Sequence, residues 1–129
     1  MCAAFAQALA RPGATPTPLA EVGYSWLGHK SVEMMRPTNA KKSTALKRLN
    51  PLGSQLDLAV LAEFDQHQSH LLHLLAQAHH ANLNRRQVPV EFFRLLKLRL
   101  GEALEFVVVH QQRHVQQAQR VREALQPHF

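Results

Sequence analysis

Two long segments of the chain repeat apolar residues every three or four positions, and this helical period constrains the fold more than any other feature. The first segment, 55–80, follows Ser54, a residue type that caps helix N-termini. Its apolar positions are Leu56, Val60, Phe64, Leu71, Leu74, Leu75 and Ala78. The second segment, 100–125, stops before Pro127, and its predicted inner face is Leu104, Val107, Gln111, Val115, Ala118, Val121 and Leu125. The period predicts an all-α fold in which two long helices pack antiparallel and at least one more helix covers them.

The remaining segments predict short or irregular structure within a single domain, 1–129. Residues 2–10 are rich in alanine and predict a short helix that stops at Arg11-Pro12-Gly13. Prolines and glycines punctuate 11–54, which predicts a mostly irregular connection with a short helical turn within 19–35. Residues 81–90 are expected to form a connection, which Asn82 and Asn84 open by ending the first long helix. Residues 91–97 predict a short turn of helix, because strand signals are nearly absent.

Composition narrows the function classes. The chain has 129 residues, is 46% apolar and carries a net charge of +6. No run approaches the roughly 18 apolar residues of a membrane span, so we expect no membrane partner. The one cysteine, Cys2, cannot form an internal disulfide, and a cytoplasmic location is the natural expectation. Nucleic-acid binding by the basic segment 36–48 is the weakest hypothesis, because no aromatic residues interleave the basic ones as a stacking platform requires.

The histidines offer the clearest chemistry. Five of the nine, His67, His70, His73, His79 and His80, fall on or at the end of the first long helix, where exposed surface is the expected setting. His110 and His114 differ, because a four-residue step on a helix stacks two imidazoles on one face, where they can chelate a divalent ion. They share this face with Ala103, Val107 and Val121, so we expect it to point into the bundle. A pair of core histidines that bond to their neighbours explains the same spacing about equally well.

Residues 98–121, "LRLGEALEFVVVHQQRHVQQAQRV", resemble the last helix of the DinB-like four-helix-bundle superfamily. In that resemblance His110 and His114 match the two metal ligands of the final helix, and Gln117 and Arg120 match its polar tail. The segment "LDLAVLAEFDQHQSHLLHLLAQA" is similar to the third helix of the superfamily. The resemblance implies zinc or nickel held by three histidines, in thiol-dependent transferases or metal-dependent hydrolases. It also implies a small thiol or another small anionic molecule as the partner in the reaction.

The chain departs from this pattern at its N-terminus. The opening "MCAAFAQALARPG" resembles the end of the second helix of the superfamily, so we expect an N-terminally truncated bundle that lacks helix one, most of helix two and the first histidine ligand. His29 could replace that ligand only from beyond the end of the helix. The missing cover would expose apolar surface, which favours a homodimer. The alternative is a non-catalytic remnant or self-association module, in which the two histidines are core residues.

Overall fold

A computed structural model describes residues 2–12, 15–41, 47, 53, 55, 57–90 and 93–126. These described residues form four α-helices, which are α1 (Cys2–Ala10), α2 (Trp26–Met35), α3 (Ala59–Ala78) and α4 (Leu100–Leu125). A short 3-10 helix spans Leu19–Glu21, and two strands, β1 (Gln87–Val90) and β2 (Phe93–Arg99), lie between α3 and α4. The prediction of a mainly helical fold is therefore confirmed, whereas the DinB-like bundle stays a prediction.

The two strands correct the expectation of a connection at 81–90 and a helical turn at 91–97. They form an antiparallel pair in which Gln87 faces Arg99 and Val88 faces Leu98, with a register shift after Pro89. Val88 and Leu98 are both buried, so this pair places one apolar face of the ribbon on the core. The strand conformation depends on this pairing between separate segments, which a local helical period cannot reveal.

α3 and α4 run antiparallel. Near the end of α3, the Leu83 carbonyl accepts a hydrogen bond of 3.1 Å from the Gly101 amide at the start of α4. About three turns further along α4, Gln111 Nε2 donates to Gln68 Oε1 at 3.1 Å. The N-terminal turn of α3 begins at Ala59, whose amide donates to Asp57 Oδ1, rather than at Gln55. The predicted cap Ser54 and the apolar Leu56 lie outside the described residues.

The core occupies only one end of this helix pair. Phe5 and Ala8 of α1 pack with the C-terminal part of α3, the β ribbon and the first turn and a half of α4. A second cluster joins Val32 of α2 to Phe106 and Val109 of α4. The expected inner face of α4 does not continue past this level, because Val115, Val121 and Leu125 are 56%, 58% and 77% exposed. α1 and α2 are too short to cover the second half of α4.

Two buried charged residues hold the short helices on this core. Arg86 donates to the carbonyls of Ala8, Leu9 and Arg11, and so supplies hydrogen-bond donors to the otherwise unpaired C-terminal carbonyls of α1. Glu102 is fully buried, and it accepts from the Arg99 amide at 2.8 Å and from the Ser25 amide. One carboxylate therefore caps the N-terminus of α4 and fixes the start of α2 against it.

Asparagines fasten the irregular connection to the end of α3. Asn82 donates to the Thr15 carbonyl, and Asn84 accepts from the Gly23 amide while it donates to the Glu21 carbonyl. Asn82 and Asn84, which the sequence predicted to end the first long helix, therefore also hold residues 15–23 by hydrogen bonds.

Candidate metal site on α4

His110 and His114 meet on the surface of α4. Their Nε2 atoms lie 2.9 Å apart, and their ring centroids are 4.5 Å apart with the ring planes inclined by 37°. The four-residue spacing on a regular helix brings the rings together, as the sequence predicted. At this distance one Nε2 carries a hydrogen and donates it, and the other accepts it.

Gln117 determines which nitrogen of His114 is free. Its Oε1 atom lies 2.9 Å from Nδ1 of His114, and an amide oxygen can only accept a hydrogen bond. With the amide in this orientation, a neutral His114 ring donates from Nδ1 and presents the lone pair of Nε2 to His110. Histidines that bind metals typically donate their second ring N–H in this way, which fixes the tautomer and the ring orientation.

His110 sits in a less polar setting than His114. The edge of its ring meets the Phe106 ring, with centroids 5.8 Å apart, and the side chain is half-buried whereas His114 is exposed. Burial lowers the pKa of His110, and a positive charge on a protonated His114 ring or on Arg113 lowers it further. His110 is therefore neutral near pH 7, which is the form that binds a metal ion.

The expectation that this face points into the bundle is wrong for its second half. Ala103 is buried and Val107 is half-buried, but His114 and Val121 are exposed. The histidine pair lies where the cover from α1 and α2 ends. The site is thus open on the solvent side rather than enclosed between helices.

The geometry suits two ligands of one ion. With metal–nitrogen bonds of about 2.0–2.1 Å, two imidazoles at a right angle have their nitrogens about 2.9 Å apart, and a tetrahedral angle requires about 3.3 Å. The observed 2.9 Å separation matches the first of these values, and to bind an ion through Nε2 the His110 ring would carry its hydrogen on Nδ1 instead. Among the described residues, however, no group of three or more His, Cys, Asp or Glu side chains is placed to hold an ion. His29 on α2 is exposed and belongs to no such group.

The acidic residues near the start of α4 do not support the histidines directly. The buried Glu102 carboxylate caps helices, as described above, two helical turns before His110. Glu105 accepts from Arg36 at 3.3 Å and so ties the end of α2 to α4. Both residues therefore position α2.

Arg113 was missed as a structural residue. It donates to the Met34 carbonyl at 3.1 Å and to the Lys41 carbonyl at 2.8 Å, and it fastens the segment after α2 to α4. No sequence signal pairs Arg113 with backbone atoms more than 70 residues away. By contrast, Gln117 lies three residues after His114, and this spacing on a helix predicts contact between the two side chains.

The histidines of α3 are exposed, as expected. His67 Nε2 lies 3.5 Å from Glu63 Oε1, and His73 Nε2 lies 3.0 Å from Gln77 Nε2. Part of the basic segment 36–48 lies outside the described residues. Across the described helices, none combines the length and apolar character that a membrane crossing requires.

The chain was compared with protein-family models, curated proteins and solved structures. No family model, no curated protein and no solved structure matches it.

Proposed function

We propose that this protein binds a divalent metal ion, zinc or nickel, through Nε2 of His110 and Nε2 of His114. One observation carries the proposal: the two Nε2 atoms converge to 2.9 Å, while the opposite nitrogen of His114 is already bonded to Gln117. The DinB-like resemblance of 98–121 supports the same two ligands.

The chemistry that follows is hydrolysis or thiol-dependent group transfer. A bound divalent ion lowers the pKa of a coordinated water or thiol and so supplies a nucleophile near neutral pH. The chain contributes a fixed ligand pair, because Phe106 restricts one ring and Gln117 restricts the other. The exposed side of His114 leaves room for a small thiol or another small anionic molecule to approach. Arg113 beside the pair is bonded to backbone carbonyls, so another group must recognise the anionic portion of such a molecule.

Calorimetric titration of the metal-free protein with zinc and with nickel tests this function. We expect saturable binding that is lost in the His110→Ala/His114→Ala variant. The control is His79→Ala/His80→Ala, which removes two exposed histidines outside the proposed site. Equal binding by all three proteins would mean that the ion binds elsewhere on the chain, and the proposal would fail.

A non-catalytic self-association module is the second candidate. It is favoured by the hydrogen bond that the two rings already make with each other, and by the exposed apolar residues on α3 and α4. In this case a chelator leaves the melting temperature of the purified protein unchanged, and the two histidines act only as a bonded surface pair. A chelator-induced fall in melting temperature, absent from the His110→Ala/His114→Ala variant, supports the metal site instead.

A further inference from the structure

The entry into α2 exposes the one tryptophan and the one tyrosine of the chain. Trp26 is 77% exposed and Tyr24 is 44% exposed, although rings of this size are usually well buried. Ser25, between them, has an extended backbone with φ −74° and ψ 162°. Side chains on either side of an extended residue point to the same face, so the two rings lie on one side of the segment.

Helical geometry turns this side away from the core. Gly28 and Val32 are the buried residues of α2, and they mark the direction in which α2 meets α4. At about 100° per residue, Trp26 lies about 140° from that direction and Lys30 about 180°. Both side chains are exposed. The aromatic segment and the outer face of α2 therefore share one open surface.

The β ribbon brings basic residues to the same surface. Val88 and Leu98 face the core, so the alternate positions Lys97 and Arg99 lie on the outer face of the ribbon. Nη1 of Arg99 donates to the Gly23 carbonyl at 3.3 Å, directly before the aromatic segment. Lys97 is exposed. The outer face of the ribbon is thus continuous with the two rings.

The turn before the ribbon adds a further cation. The Gly23 amide donates to Asn84 Oδ1 at 2.8 Å, and the next residue, Arg85, is exposed. These contacts assemble a surface from three separate parts of the chain. We call it the aromatic–basic surface, and its residues are Tyr24, Trp26, Lys30, Arg85, Lys97 and Arg99.

The nearby acidic residues leave this surface positive. Glu102 is buried, and its carboxylate accepts from two backbone amides. Glu33 on α2 is paired with Arg36. Glu21, whose carbonyl accepts from Asn84, lies at the edge and offsets one of the four positive charges.

We propose that the aromatic–basic surface binds a single-stranded nucleic acid. Its bases stack on Trp26 and Tyr24, and its phosphates pair with the four basic side chains. Proteins that bind single strands combine these two elements, flat rings for the bases and cations for the backbone. In the sequence the rings lie about 60 or more residues from Arg85, Lys97 and Arg99, so only the fold places them together.

The arrangement favours a single strand over a membrane surface or a duplex. A helix that lies in a membrane interface presents a continuous apolar face. The outer face of α2 instead alternates Trp26 with Lys30 and Glu33, and its apolar Val32 is buried. In a duplex the faces of the bases are already stacked on one another, so the two rings have no partner. The net charge of +6 favours a polyanion in general.

The fluorescence of Trp26 tests the proposal, because it is the one tryptophan of the chain and reports this surface alone. The full chain is titrated, in the presence of a chelator, with oligo(dT) and oligo(U) of about 12 nucleotides. Stacking on a base should quench the fluorescence to saturation. Log affinity against log salt should have a slope of about −2 to −3, as three or four phosphate contacts give. Tighter binding of oligo(U) would indicate RNA and tighter binding of oligo(dT) DNA, and either result supports the proposal.

Anisotropy of a labelled oligonucleotide measures variants at the surface. Trp26→Ala and Tyr24→Ala should each weaken binding by about 5- to 100-fold. Leu125→Ala is the control, because this apolar residue is also 77% exposed but lies at the far end of α4, and it should bind as the wild type does. Lys97→Gln should make the salt slope shallower by about 0.7, whereas Arg120→Gln should not change it. All five side chains are exposed, and circular dichroism checks that each variant is folded.

Three results would overturn the proposal. Absence of quenching by either oligonucleotide would refute it. Equal affinity of the wild-type, Trp26→Ala and Tyr24→Ala chains would place nucleic acid elsewhere, for example on segment 36–48. Quenching by vesicles that contain phosphatidylserine, without quenching by oligonucleotides, would make this a membrane-binding surface instead. The chelator keeps each outcome independent of metal binding by His110 and His114.

Discussion

Substitution of Gly28 by alanine should destabilise the protein strongly, although the same change stabilises most helices. Gly28 lies inside α2 and is buried against α4. A Cβ atom at this position would overlap the carboxyl group of Glu102. That carboxylate is fully buried and accepts from the amides of Ser25 and Arg99. It cannot move away from the new methyl group without losing these bonds.

The magnitude follows from the two hydrogen bonds. A hydrogen bond to a charged group contributes about 1.5–3 kcal/mol to the free energy of unfolding. Loss of both Glu102 bonds therefore lowers it by about 3–6 kcal/mol. Alanine in place of glycine inside a helix returns about 1 kcal/mol. The net expectation for Gly28→Ala is a loss of about 2–5 kcal/mol, a large part of the stability of a small domain.

Urea denaturation followed by far-ultraviolet circular dichroism measures this loss. With a slope of about 1–3 kcal/mol/M, the midpoint should fall by about 1 M or more. Gly53→Ala is the control, because a Cβ atom at Gly53 meets no atom within 4 Å. The double variant Gly28→Ala/Glu102→Ala should be little worse than Glu102→Ala alone, since the clash partner is gone. An unchanged or raised midpoint for Gly28→Ala would refute this account of Glu102.

Three further outcomes follow from the site and the core. Gln117→Leu should weaken zinc binding by about 10- to 100-fold, because the Nδ1 hydrogen of His114 loses its acceptor. Zinc titration of the variant measures this change. An unchanged affinity would contradict the proposed role of Gln117 in orienting His114. Burial lowers the pKa of His110 in the folded chain. As the pH falls, His110 is therefore protonated in the unfolded chain before it is protonated in the folded chain. The free energy of unfolding should consequently decrease between about pH 7 and pH 5. Thermal denaturation at both pH values should show a smaller loss of stability for His110→Gln than for the wild-type chain. An equal loss would contradict this role of His110. Arg86→Met should lower the free energy of unfolding by about 2–4 kcal/mol, because buried carbonyls at the end of α1 lose their donor; urea denaturation should show almost no change for the exposed control Arg85→Met.

The helices of this protein were predictable where the apolar period is local. Helix α4 is observed at Leu100–Leu125, the range that the period indicates. Oε2 of Glu102 caps its N-terminus by accepting a hydrogen bond from the Arg99 amide, three residues away. By contrast, the β ribbon depends on contact between Val88 and Leu98, and neither segment alone carries a strong strand pattern.

The convergence of His110 and His114 was predictable from the sequence, but the surroundings of the pair were not. Helical spacing alone brings His110 and His114 together and places Gln117 beside them. The exposure of His114 depends on where α1 and α2 stop relative to α4, which is a property of the whole packing. The second bond of Glu102, to the Ser25 amide 77 residues away, is likewise set by tertiary structure.

Nitrogen-15 NMR of the imidazole rings during zinc titration tests the central claim most directly, because it reports each ring nitrogen separately. The account predicts that zinc shifts the Nε2 resonances of His110 and His114. The Nδ1 atom of His114 should keep its hydrogen, held by Gln117. Zinc-induced shifts confined to other histidines, or coordination of His114 through Nδ1, would contradict the account.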